Sequence, residues 1–78
     1  MLTVYIDEAM SRATYKILED GTYFGEIPGL QGVWSNKATL EECRRVLQEV
    51  LEEWLLLKLR SNEEIPPLGE ISLARKGA

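Results

Sequence analysis

The sequence contains no histidine, and that absence removes the commonest general base and the commonest nitrogen ligand for a metal. Ser-His and Cys-His nucleophile pairs are excluded within the chain. There is one cysteine, Cys43, so no internal disulfide can staple the fold. A lone thiol in a small unstapled chain fits a reducing compartment, the cytoplasm. Zinc takes three or four nitrogen, sulfur or carboxylate ligands and would find only that thiol and scattered acids, so neither a metal nor a cofactor is expected. Long apolar runs are also missing. No stretch approaches the roughly 18 residues of a membrane span, and Asp7 and Glu8 lie where an export leader would be basic and then apolar, so no membrane association or export is expected. Positive charge is scarce: 9 basic residues face 13 acidic ones, for a net charge of −4 and a pI near 4.8. That is the wrong sign for neutralising a phosphate backbone, so nucleic acid is not expected as a direct partner.

What is present describes one small folded domain. In 78 residues, 45% are hydrophobic and 28% charged, an ordinary globular balance without the signature of disorder. A core of this size rarely supplies more than about 3–5 kcal/mol, which makes help from another subunit or partner worth looking for. Residues 1–78 are read as a single unit, with a helix over 1–12, a core over about 13–74 and a tail at 75–78. Leu2, Ile6, Ala9, Met10 and Ala13 fall at helical spacing, with Thr3 as a possible cap. The competing reading is a strand through Leu2, Val4 and Ile6, favoured by the preferences of Val4 and Tyr5.

From Thr14 the pattern turns to strands. Tyr15, Ile17 and Leu18, then Asp20-Gly21, then Tyr23, Phe24 and Ile27 predict a hairpin whose second strand stops at Pro28-Gly29. A third strand is expected around 32–35, ending at Asn36, a residue tolerant of left-handed backbone. Thr39-Leu40-Glu41-Glu42 matches a capping box and opens a long helix. Its apolar stripe reads Leu40, Cys43, Val46, Leu47, Val50, Leu51, Trp54 and Leu55, with Glu41 and Arg45 placed for an ion pair. The helix should run to about Arg60, before Ser61-Asn62 and Pro66-Pro67, and a last strand is expected over 68–74. The fold class is α+β: a short N-terminal helix, a three-stranded antiparallel sheet, a long helix packed on it and a final short strand.

The run Tyr15…Glu19-Asp20-Gly21…Tyr23…Ile27-Pro28-Gly29-Leu30-Gln31-Gly32-Val33…Ala38-Thr39-Leu40-Glu41-Glu42-Cys43, with Ile65-Pro66 beyond it, resembles the HicB-like antitoxin domain, long catalogued as a small uncharacterised bacterial family. The order of hairpin, Pro-x-Leu-x-Gly loop, Thr-Leu-Glu-Glu cap and long helix carries the resemblance. It implies a partial ribonuclease-H-like fold and a binding module that neutralises a small basic HicA-type toxin which cleaves messenger RNA. The family often has proline where Gln31 stands and glycine where Asn36 stands. Many of its full-length members also carry a C-terminal DNA-binding segment, for which 78 residues leave no room, and the helix at 2–12 precedes the family's usual first strand.

An acidic module would steer toward such a basic partner. The candidate contact acids are Glu19, Asp20 and Glu26 on the sheet and Glu49, Glu52 and Glu53 on the helix, each of which can equally be a solvated charge. A nuclease reading would need clustered carboxylates holding two cations. Glu19 and Asp20 sit at a turn and not in a strand interior, so no enzyme activity and no catalytic residue is expected. The far half of the helix is apolar on more than one face. Trp54, Leu56 and Leu59 are expected in a homodimer or tetramer interface, unless the first helix and the 65–68 segment cover them. Trp34 is expected to pack under the helix, with a recognition role for it and the 29–32 loop as the other reading. Cys43 is expected to be an inert core thiol. An orphan structural or adaptor domain without a toxin partner is the alternative to the antitoxin reading.

Overall fold

The computed structural model describes residues 2–68, in the order α1 (Leu2–Ser11), β1 (Thr14–Ile17), β2 (Tyr23–Glu26), β3 (Trp34–Lys37) and α2 (Leu40–Arg60). The strands form one antiparallel sheet in the order β1-β2-β3, with Tyr15 opposite Gly25 and Gly25 opposite Ser35. The expected α+β architecture is therefore present. Of the final strand expected over 68–74, residues 69–74 lie outside the described residues, as does the 75–78 tail.

Thr39 starts α2 as its position predicts. Its backbone is extended and its hydroxyl oxygen accepts the Glu42 N–H at 3.1 Å, which satisfies one of the helix's orphan donors. The carboxylate of Glu42 does not close the box; it lies 3.7 Å from Arg45. Arg45 also pairs with Glu49 at 3.1 Å, so its ion pairs run to Glu42 and Glu49 and not to Glu41. At the other end, Glu63 N–H donates to the Lys58 carbonyl and Asn62 N–H to the Leu59 carbonyl, with Asn62 at φ 59°. That is a Schellman stop with asparagine in the left-handed position. The expectation of left-handed backbone belonged to Asn36, which instead sits within β3 opposite Phe24.

The helix lies across β2 and β3, and Cys43, Leu47, Leu51 and Leu55 form its buried stripe. Leu40, expected at the start of that stripe, is exposed; it lies in the first turn, at the end of the seam. Under the following turn the strands offer almost no bulk. Ser35 donates its hydroxyl proton to the Cys43 carbonyl at 2.8 Å, and its oxygen lies 3.2 Å from the Cys43 sulfur. Gly25 sits beside them: a Cβ there would stand 2.8 Å from two carbons of the Tyr15 ring and 3.1 Å from the sulfur. The Tyr15 ring thus fills the space a side chain would occupy. The Tyr15 hydroxyl is buried without a hydrogen-bond partner among the described residues.

The rest of the core is closed by α1 and by the chain after α2. Tyr5, Ala9 and Met10 are the buried face of α1, and Ile65 and Leu68 join them. This face is rotated from the one expected, so Leu2 is exposed and Tyr5 is fully buried. The reason is Tyr5 itself, whose hydroxyl donates to the Pro66 carbonyl at 2.6 Å and ties the two chain segments together. Thr3 does not cap α1, because the helix already includes Leu2.

Two outcomes test this packing. Gly25→Ala should cost about 1–3 kcal/mol through overpacking, read as a lower urea midpoint at unchanged slope. Tyr15→Ala in the same chain should recover part of that loss. Burial also raises the Tyr5 phenol above its ordinary value. The unfolded chain then releases that proton first, so stability should fall as pH rises past about 10. Tyr5→Phe should remove this component of the alkaline decline in a pH series of melts.

Candidate functional site

Because side chains alternate along a strand, packing Tyr15, Gly25 and Ser35 against the helix sends Lys16, Phe24, Glu26, Trp34 and Asn36 to the opposite face. Nothing among the described residues covers that face. Phe24 and Trp34 stack there, with ring centroids 5.9 Å apart and 23° between their planes. The Lys16 ammonium stands 5.5 Å from the Phe24 centroid. Trp34 is 54% exposed, so the expectation that it packs beneath α2 is corrected. The third strand begins two residues later than expected, which puts Val33 inside the core and turns Trp34 outward.

That shift originates in the loop before β3. Leu30 N–H donates to the Ile27 carbonyl at 3.1 Å and Val33 N–H to the Leu30 carbonyl at 3.3 Å, while Gly29 and Gly32 both have φ of 89°. These are two successive turns of type II character, Ile27-Pro28-Gly29-Leu30 and Leu30-Gln31-Gly32-Val33, each with glycine at the position that needs positive φ. Their period of three aims Ile27, Leu30 and Val33 into the core and leaves Pro28, Gly29, Gln31 and Gly32 outside. The outer side of the loop and Trp34 bound a groove of about 440 Å³. Glu26, opposite Trp34 in the register, is the charged residue in that lining.

The other candidate acids do not converge on this groove. Asp20 accepts the Thr22 N–H at 3.0 Å and the Thr22 hydroxyl at 2.6 Å, bonds that hold its carboxyl below the usual range. It therefore works as a turn residue. Glu19 is exposed beside it on the hairpin loop. On α2, Glu49 is paired with Arg45, Glu52 accepts from Gln48 at 3.1 Å, and Glu53 is exposed.

A second, chemically different surface lies between the helices. Leu2, Ile6, Leu55, Leu56 and Leu59, with Glu52 at the edge, line a groove of about 270 Å³. Leu56 is 53% and Leu59 41% exposed. Trp54, grouped with them on sequence, lies on another side of α2. It packs against the core and carries the Lys58 ammonium 5.4 Å from its ring centroid.

A family model described as UPF0150-like matches residues 4–66. The chain belongs to the UPF0150-like family. It is similar to TTHA0281 from Thermus thermophilus, known from its crystal structure, with 49% identity, a TM-score of 0.89, and coverage of 94% of this chain and 91% of that one. No curated protein matches the chain. The stretch matched by the UPF0150-like model runs from α1 to Pro66 and includes the double turn, the open sheet face and the seam under α2.

The signal for the outer aromatic pair was available in Tyr23-Phe24-Gly25-Glu26, since a glycine facing the helix forces its neighbours outward. The double turn can be tested directly. Residue 31 occupies the position proline favours in a type II turn, and its N–H makes no hydrogen bond among the described residues. Gln31→Pro should therefore stabilise the chain by about 0.4–1 kcal/mol, a rise of a few degrees in melting temperature. Gly32→Ala should lower it.

Proposed function

We propose that the chain is a non-enzymatic, HicB-like antitoxin-type binding module that neutralises a small basic HicA-type toxin by covering its RNA-cleaving surface. The observation that carries this reading is the uncovered Phe24–Trp34 stack beside the 27–33 groove. An aromatic pair held out on a rigid sheet is the kind of anchor that protein interfaces use. The acidic balance of the chain supports a basic partner, through steering and through masking of an RNA-binding surface. On this reading the protein works in the cytoplasm and touches neither DNA nor membrane; no helix among the described residues is long and apolar enough to cross one. Co-expression with a short basic protein encoded in the adjacent reading frame should yield a complex on affinity purification, and the complex should no longer cleave messenger RNA. Recovery of the basic protein without this chain, or undiminished cleavage in its presence, would contradict the reading.

The apolar groove between α1 and α2 favours an oligomer, a homodimer or tetramer joined through Leu56 and Leu59. The same feature would serve an orphan structural or adaptor domain with no toxin partner. Fully burying a leucine contributes roughly 1.5–3 kcal/mol, large beside the stability of so small a domain. Leu56→Glu should therefore reduce the sedimentation mass to that of one chain and lower the melting temperature. Unchanged values for both would place the interface elsewhere.

A further inference from the structure

Two of the partly exposed rings already hold a cation of their own chain, Phe24 with Lys16 and Trp54 with Lys58. Trp34 is the more exposed surface indole, and among the described residues no ammonium or guanidinium lies over it. Beside it across the β2–β3 pair stands Glu26, whose carboxylate makes no ion pair and no hydrogen bond among the described residues. Glu26 is also the single charge in the lining of the 26–34 groove. An electron-rich ring face and an uncompensated carboxylate therefore meet at one end of an otherwise neutral groove.

We propose that this corner is a receptor for an arginine side chain of a basic protein partner, with the guanidinium stacked on Trp34 and its N–H fork held by Glu26. Arginine fits better than lysine because its planar group can stack on the indole and donate two parallel hydrogen bonds to the carboxylate. Charge complementarity points the same way: the chain carries −4 overall, and Lys16, the cation nearest on that face, is engaged over Phe24. The inference rests on the reading of the chain as a protein-binding module and names the contact through which it would grip.

The test is a calorimetric titration of the full chain with hexa-arginine amide, with hexa-citrulline amide as the neutral control and hexa-lysine amide as the ammonium control. Location is read from the indole N–H signals of the two tryptophans, assigned with Trp54→Phe. Saturable binding of hexa-arginine should move the Trp34 signal and leave that of Trp54 in place. Hexa-lysine should bind more weakly and hexa-citrulline not at all. Glu26→Gln and Trp34→Ala should each weaken binding about tenfold, Trp34→Phe should retain most of it, and Glu53→Gln, an exposed acid elsewhere, should leave it unchanged. Circular dichroism melts establish that each variant is folded. No saturable binding, or equal losses from Glu26→Gln and Glu53→Gln, would overturn the site. Equal capture of the neighbouring basic protein by wild type, Glu26→Gln and Trp34→Ala would overturn the site and leave the antitoxin reading standing. Arginine-specific binding without capture of that protein would remove the antitoxin reading and keep the site.

Discussion

The close seat of Cys43 on Ser35 and Gly25 is the constraint from which the rest of the molecule follows. A helix can approach a sheet this nearly only where the strands present small residues, and β2 and β3 present a glycine and a serine side by side. The serine hydroxyl binds the helix backbone, and the thiol lies within reach of the Tyr23 carbonyl at 3.5 Å. The Ser35 hydroxyl and the Cys43 thiol thus find partners, as a low-dielectric interior requires, while the Tyr15 hydroxyl beside them has none among the described residues. Moving the strand register by one residue would bring Phe24 and Trp34 under the helix, where the seam has no room for them. The exposed aromatic stack is thus a consequence of the seam.

The two surfaces left uncovered differ in chemistry because different elements build them. The sheet face combines flat rings, one lysine and the Glu26 carboxylate, unpaired among the described residues, and its backbone is fixed by the ladder and by the double turn. The helical groove is aliphatic, with a single acid at its edge. Among the described residues, nothing covers either the outer sheet face or the far end of the 21-residue helix, where Trp34, Leu56 and Leu59 stand exposed. The proposed function assigns the two surfaces to separate engagements, one with a basic partner and one with further copies.

Much of the frame was legible in the sequence. The threonine cap, the long amphipathic stripe, the Asp20-Gly21 hairpin and the stop at Ser61-Asn62 are local signals, and local chemistry decided each of them. The errors came where a distant contact decided. Tyr5 falls outside the helical face that the spacing predicts, because the group that accepts its hydroxyl is the carbonyl of Pro66, 61 positions away. Asn36 reads as a turn residue, yet its amide donates across the sheet to the Tyr23 carbonyl at 2.7 Å. Trp34 reads as core because large aromatics usually are, and only the spacing of Ile27, Leu30 and Val33 reveals that the inward positions before it are already taken. Leu56 and Leu59 were legible as surplus apolar residues, but Trp54 was grouped with them although two helical steps separate it from Leu56 by roughly 200° around the axis. Among the six candidate acids, sequence could not single out Glu26, because its distinction is the neighbour that the strand register gives it.

The central claim, that the first turns of α2 are locked onto the sheet at Cys43, is tested most directly by labelling the Cys43 thiol under native conditions across a series of low urea concentrations. Cys43 is fully buried. Modification should therefore require global unfolding, with a free energy and urea dependence matching those of the whole chain. Rapid modification in the absence of urea, or a rate insensitive to it, would mean that the seam opens locally and does not organise the fold.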